Sequence, residues 1–395
     1  MELTRKQEEG LKAAVSRYQL GEKYTVIAGY AGTGKSTLVK FIIAALDVDP
    51  DKVAYASFTG KAAEVLRKKG NKNSMTMHRL LYESIPKPAG GYFHKPKPRL
   101  EYTIVVVDEV SMVPKTLMDQ LFKHQVYVIC LGDPFQLPPI DDKEDNHLLD
   151  NPHVFLDEIV RQAADSEIIQ LTMKIREQKP LDLYHGQEVQ VLPHSSLNTG
   201  MLLWSDQIIT ATNAKRTQIN NQVRTLLGKG PTPEDGDKII CLRNYWEDFN
   251  LQGDPLVNGT VGTLTNSWKG EVQVPAFLTA GQGLKTFDVL YGDFCANESV
   301  YEAIDIDRHM LLTGEKCCDW RLSYKLGKLR QRIGDLVPKE FAYGYAITAH
   351  KSQGSEWEKV LVIEETFPFV PLEHARWLYT AATRAIDKLV VVRSY

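Results

Sequence analysis

Four runs of apolar and β-branched residues punctuate the first part of the chain: residues 24–29, 53–58, 103–109 and 126–133. Each is apolar almost without a break, and such runs predict strands covered on both faces, as in a parallel sheet wrapped by helices. Helical patterns lie between them, at residues 36–46 and 61–69. The same alternation returns at 207–213, 341–350, 359–365 and 388–395. Two α/β units are therefore expected. The first covers residues 1–155, and the second is split into 156–231 and 339–395. From 232 to 338 the texture changes to short segments with frequent Gly, such as GDKIICLRN and LVNGTVGTLTNSW. That pattern predicts a small β-rich insertion. A further interruption, IPKPAGGYFHKPKPR at 85–99, holds four prolines and a Gly-Gly pair, which excludes a helix interior. A projecting hairpin over 82–101 and a plain exposed loop both satisfy it.

Composition narrows the class. At 395 residues, 43% hydrophobic and 25% charged, the chain is long enough for several cores. No stretch approaches the roughly 18 to 20 apolar residues that a membrane helix needs. The N-terminal MELTRKQEEGLKAAV reads as a charged helix and not as a signal-peptide core. A soluble, intracellular protein without membrane association is expected. Cys130, Cys241, Cys295, Cys317 and Cys318 form no C-x-x-C pair, so neither a disulfide framework nor a thiolate zinc site is encoded. The 47 Lys and Arg against 50 Asp and Glu give a formal charge of −3, which argues against a globally basic nucleic-acid surface.

Candidate chemistry begins at Gly29-Tyr30-Ala31-Gly32-Thr33-Gly34-Lys35-Ser36, which fits G-x-x-x-x-G-K-[ST] between an apolar strand and a helix. The glycines let backbone N–H groups turn around phosphate oxygens, Lys35 reaches the β and γ phosphates, and Ser36, followed by Thr37, can ligate Mg²⁺. The strand at 103–107 ends in Asp108-Glu109, two carboxylates where ligands collect in open α/β sheets. Asp108 suits a Mg²⁺ ligand, since that ion takes only one or two protein carboxylates. Glu109 can polarise a water for attack on the γ-phosphate. The next strand leads into Gly132-Asp133-Pro134-Phe135-Gln136-Leu137-Pro138-Pro139, where the neutral amide of Gln136 suits a sensor of the γ-phosphate and the attacking water.

Taken in order, these segments resemble the motif set of superfamily 1 helicases, most closely the RecD-like and phage Dda-like branch, over nearly the whole chain. Leu3-Thr4-x-x-Gln7 is similar to the adenine-recognising element. Ala56 to Ala63 is similar to the first strand-contacting motif, with Phe58 where the family usually has Pro. Thr76-x-His78 fits the second. Asp108 to Met112 fits the Walker B signature, and Ile159-Val160-Arg161-Gln162 the segment whose arginine contacts the γ-phosphate from the second lobe. Thr348 to Trp357 is similar to the fifth motif and Leu378 to Ala385 to the sixth. The resemblance implies two RecA-like P-loop NTPase lobes, a short hairpin insertion in the first and a small SH3-like β-barrel in the second. Its nucleotide site takes in Gln7, Gly354 and Glu356 beside the phosphate loop. Its DNA path takes in Thr59, Lys61, His78, Thr348, His350 and Lys351. Arg161 and Arg384 are the cations delivered from the second lobe, a contribution of about 10³ to 10⁵ in rate.

The implied activity is an ATP-dependent DNA helicase, using ATP and Mg²⁺, that translocates on single-stranded DNA 5′ to 3′ and opens duplex junctions. The implied setting is a monomer in the cytoplasm of a bacterial or phage-infected cell, meeting a single-strand-binding or replication protein. Two local cation excesses agree with a nucleic-acid path. Lys87, Lys95, Lys97 and Arg99 meet no acid, nor do Arg321, Lys325, Lys328, Arg330 and Arg332; a solvated basic face is the plain alternative. Tyr92 and Phe93 beside Gly90-Gly91 suit an aromatic wedge at a hairpin tip. His78 and His350 equally suit structural roles. A nucleic-acid-stimulated remodelling or regulatory ATPase without strand separation stays open, as does RNA for the track. A guanine-nucleotide switch does not, because no N-K-x-D element follows the phosphate loop.

Overall fold

In the computed structural model, the description covers residues 3–86, 92–138, 145–250, 255–274, 285–296, 299–315, 317 and 338–394. It leaves aside the side chains of 84, 86, 92–94, 161, 162, 246, 247, 274 and 285. Lys87, Pro139, Cys318 and the basic set at Arg321, Lys325, Lys328, Arg330 and Arg332 thus lie outside the described residues. The side chains of Tyr92, Phe93 and Arg161 do too. The chain divides into two compact units. One holds Met1–Glu83, His94–Asn213 and Ile347–Tyr395; the other holds Ser84–Phe93 and Ala214–Ala346.

The first unit contains two six-stranded sheets. In the first, the strands run in the order Ser74–Thr76, Val53–Ser57, Ile104–Val107, Tyr127–Gly132, Tyr24–Gly29, Val154–Leu156, all parallel. Alternate residues of its strands face two different cores. Val26, Val105, Val107, Val128 and Cys130 pack with Leu80, Leu117 and Met118. Ile27, Ile104, Val106, Ile129 and Leu131 pack with Ala14, Leu38 and Ile42. This double burial explains the unbroken apolar runs. The second sheet runs Ala346–Thr348, Gln207–Thr210, Trp357–Ile363, Ala385–Arg393, Val189–Pro193, Tyr184–His185. Its Gln207, Trp357, Ala385 and Val189 strands are parallel, with Tyr184–His185 antiparallel at the edge. These are two RecA-like α/β lobes. No helix among the described residues is long and apolar enough to cross a membrane.

The other unit is built on a five-stranded antiparallel sheet in the order Ser299–Asp307, Lys285–Ala296, Val261–Val274, Lys238–Cys241, Phe341–Tyr343. Its core gathers Ile239, Leu264, Phe294, Ile306 and Phe341. The apolar run 341–350 is therefore not one strand of the second lobe. Phe341–Tyr343 pairs with Lys238–Cys241, whereas Ala346–Thr348 lies in the second lobe's sheet. The break falls at Gly344, where a Cβ would lie 3.0 Å from the Ile239 carbonyl carbon, so the chain passes close to the neighbouring backbone. Strands Tyr82–Pro86 and Tyr92–Pro96 pair in a separate two-stranded sheet.

Candidate nucleotide site and strand path

The phosphate loop leaves the Tyr24–Gly29 strand and enters the Lys35–Ala45 helix. Gly32 and Gly34 have φ of +76° and +75°, values open to glycine, and Gly34 caps the helix in that left-handed form. A Cβ on Gly34 would fall 2.4 Å from Gln7 Nε2. Gln7 is buried, and its Nε2 donates to the Thr33 carbonyl at 3.1 Å. Its Oε1 accepts from the Thr4 N–H at 3.0 Å, half of a capping box that starts the Arg5–Gln19 helix. Gln7 is thus fixed beneath the loop. Thr33 is buried and its hydroxyl donates to the Tyr30 carbonyl at 2.8 Å; Ser36 is exposed. Lys35 Nζ folds over the loop, donating to the carbonyls of Gly29 at 2.7 Å and Tyr30 at 3.0 Å.

Across from it, Asp108 accepts the Glu109 N–H at 3.0 Å, and Glu109 takes a left-handed φ of +50° that turns the chain sharply after the strand. Burial, reinforced by the neighbouring Glu109 carboxylate and opposed by Lys35, pushes the Asp108 carboxyl up to about 6. Gln136 is buried and its Nε2 lies 3.4 Å from Glu109 Oε1; its Oε1 has no hydrogen-bond partner among the described residues. Arg384 is 3% exposed, and its Nη1 lies 3.9 Å from Glu109 Oε1. Its three nitrogens donate to the Thr380 carbonyl at 3.1 Å, the Ser355 carbonyl at 3.4 Å and Thr383 Oγ1 at 3.0 Å. Lys35 with Asp108, and Glu109 with Gln136 and Arg384, thus form one site drawn from both lobes.

The remaining candidates spread outward. Gly354 has φ +69°, and a Cβ there would sit 3.3 Å from Met112 Sδ and 3.4 Å from Thr59 Oγ1, so the fifth motif packs on the first lobe. Glu356 pairs with Lys69 at 3.2 Å. Thr59 is buried, its hydroxyl accepting the Ala62 N–H at 3.2 Å as a helix cap. Lys61 Nζ lies 5.9 Å over the Trp357 ring, and burial lowers its pKa. His78 stacks on Tyr82 with ring centroids 5.9 Å apart, and Phe58 stands 6.5 Å from it. Thr348 precedes the short Ala349–Ser352 helix, which carries His350 and Lys351. Burial first, and then Lys351, hold His350 below the usual histidine range.

Five residues outside the candidate set join the two lobes. Tyr379 Oη accepts the Ala31 N–H at 2.8 Å and donates to Asp133 Oδ2 at 2.6 Å. Thr380 Oγ1 accepts the Leu137 N–H at 2.9 Å, and Gln353 Nε2 donates to the Leu137 carbonyl at 2.7 Å. All five lie inside the quoted motifs. Each belongs to a string of motif letters, and no local spacing distinguishes it from its neighbours.

Residues 2–191 match the family described as "AAA domain", and residues 343–392 match the "UvrD-like helicase C-terminal domain". The ATP-dependent RecD2 DNA helicase of Deinococcus radiodurans is 27% identical over 95% of this chain and 48% of its own length. The chain thus spans about half of that relative. An uncharacterized protein of Acanthamoeba polyphaga mimivirus, R530, is 30% identical over 93% of this chain and 94% of its own. The ATP-dependent DNA helicase dda of Enterobacteria phage T4 is 29% identical over 36% of this chain and 34% of its own.

Proposed function

From a chain that belongs to the superfamily 1 helicases, in the RecD-like and Dda-like branch, we infer an ATP-driven motor that moves 5′ to 3′ along single-stranded DNA and separates duplex strands. The observation that carries this reading is Arg384 of the second lobe standing 3.9 Å from Glu109 of the first, with Gln136 beside the same carboxylate. Hydrolysis builds charge on the γ-phosphate oxygens. A guanidinium supplied from the opposite lobe stabilises that charge only while the lobes are seated. Nucleotide state and lobe position then bias one another, as a stepping motor requires.

Asp108 and Ser36 are the groups that would hold Mg²⁺. The donor chemistry fits: a carboxylate whose pKa is lifted by burial and by a second carboxylate, even with Lys35 and Lys69 opposing, is a site short of positive charge. Bound there, the ion would neutralise charge on the β and γ phosphates. Glu109 then orients the attacking water, Gln136 reports on it, and Lys35 leaves the Gly29 and Tyr30 carbonyls for the phosphates. Thr59, Lys61, His78, Thr348, His350 and Lys351 mark the strand path, with phosphate contacts giving grip without sequence preference. The paired strands Tyr82–Pro86 and Tyr92–Pro96 form the pin that splits the duplex, and the five-stranded unit is the SH3-like insertion. The motor works as a soluble cytoplasmic monomer beside a single-strand-binding or replication protein.

Strand displacement on 5′-tailed and 3′-tailed DNA and RNA duplexes, with and without ATP, tests the reading. Opening of the 5′-tailed DNA alone, and only with ATP, is expected. Strand-stimulated hydrolysis without any displacement would replace the helicase by a remodelling ATPase.

A further inference from the structure

We infer that Tyr379 is a positioning residue for hydrolysis, coupling the second lobe to the phosphate loop and to the sensor loop through a hydrogen-bonded chain that ends on Asp133. The inference rests on the ATPase reading above and adds to it how the seating of the second lobe is transmitted.

Tyr379 is 1% exposed and projects from the Pro371–Ala382 helix of the second lobe. A phenol carries one hydrogen. The Ala31 N–H already points at Oη, so that hydrogen goes to Asp133 Oδ2. Asp133 is itself buried, and its Oδ1 accepts the Phe135 N–H at 2.9 Å. The chain Ala31 N–H, Tyr379 O–H, Asp133 therefore has a single direction. The Phe135 ring meets Tyr379 edge-on, with centroids 5.2 Å apart and planes at 82°.

The next residue on the same helix, Thr380, holds Leu137, and Gln353 holds the other side of the Leu137 peptide. Leu137 is buried in the second lobe's core cluster, with Phe135 and Ala31 packed against it. The sensor loop of the first lobe is thus pinned to the second lobe on both sides of Gln136. Withdrawal of the second lobe breaks both clamps together, and Gln136 loses the support that holds its amide beside Glu109. Tyr379 adds the phosphate loop to this unit, because Ala31 lies within it.

Tyr379→Phe keeps the ring and its contact with Phe135 but leaves the Ala31 N–H and Asp133 Oδ2 without this partner. With saturating single-stranded DNA, kcat for ATP should fall about ten- to a hundredfold, the rate equivalent of one lost charge-assisted buried bond. The KM for ATP should move by less than about threefold, because the interaction is completed with the seated lobe. Asp133→Asn should show the same kcat loss with the same split. The double variant should lose no more than the worse single variant, since both substitutions cut one chain. A Tyr379→Phe kcat within about twofold of the parent, whatever its melting temperature, overturns the inference, and so does a double variant whose loss is the product of the two single losses. Absence of strand-stimulated hydrolysis in the unsubstituted protein would instead overturn the ATPase reading.

Discussion

Arg384→Ala is the substitution that separates a cross-lobe charge from a buried structural arginine. The guanidinium is 3% exposed and 3.9 Å from Glu109 Oε1. A unit charge pair at that spacing, with an effective dielectric near 20, interacts by about 4 kcal/mol. Delivered to charge growing on a γ-phosphate, the same energy is about a thousandfold in rate, the lower end of what such arginines supply. The expected outcome is a kcat at least about 10³-fold lower, with ATP affinity within about threefold of the parent. Steady-state phosphate release with saturating single strand measures the first quantity, and fluorescence titration with a labelled nucleotide the second. Arg384 also donates to Thr380, Ser355 and Thr383, so Ala removes structural bonds as well. Arg384→Lys controls for this by keeping the charge while losing the planar fork; it should recover no more than about tenfold. A loss below about tenfold for Arg384→Ala, or a loss of affinity matching the loss of kcat, would refute the cross-lobe role.

Gly34→Ala forces a side chain into φ +75° and against Gln7 Nε2, so nucleotide binding should be lost in a titration while the melting temperature moves by only a few degrees. His350 has a folded pKa below its ordinary 6.5, so the unfolded chain takes up a proton first as pH falls. Its stability contribution is complete above 6.5 and drains away towards the folded value; His350→Gln should narrow the drop in melting temperature between pH 7.5 and 5.5. His124 and His153 are lowered by burial as well, so the drop should narrow without vanishing, and an unchanged drop would contradict the assignment. Replacing Tyr92 and Phe93 together by Ala should abolish strand displacement while strand-stimulated hydrolysis persists; equal loss of both rejects the wedge. Strand affinity should fall with salt at a slope of about 0.7 per phosphate contacted, a measure of the local path that is independent of the net charge.

The parts of this molecule legible beforehand are those in which neighbours in the chain are neighbours in space. The phosphate loop is eight consecutive residues between a strand and a helix, and Gly32 and Gly34 within it take left-handed angles. The doubly covered strands announced themselves because Val26 and Ile27 must each find a core on its own face. The run at 341–350 misled because an apolar stretch reads alike whether it serves one sheet or two. Only the close approach of Ile239 gives Gly344 its meaning. Thr59 was legible as a hydroxyl in a strand-contacting motif, but its commitment to the Ala62 N–H was not. Tyr379 and Asp133 are 246 residues apart, and nothing in either segment states that one will donate to the other.

Beside the apolar packing of Ala31, Phe135 and Leu137 on the second lobe, the contacts across the cleft include hydrogen bonds of fixed direction. A net charge of −3, spread over 47 cations and 50 anions, supplies no field strong enough to hold two lobes in one register. Tyr379 to Asp133, Thr380 to Leu137 and Gln353 to Leu137 do so with short bonds among buried groups, where solvent neither competes nor screens. Such a seat is specific to one arrangement and is lost as a whole when the second lobe withdraws. Its few bonds are also too few to lock the lobes permanently, since each contributes only about 0.5 to 3 kcal/mol net. Binding and release of nucleotide, acting through Lys35 and Ala31 on one side and Arg384 on the other, then suffice to tip the balance in each cycle.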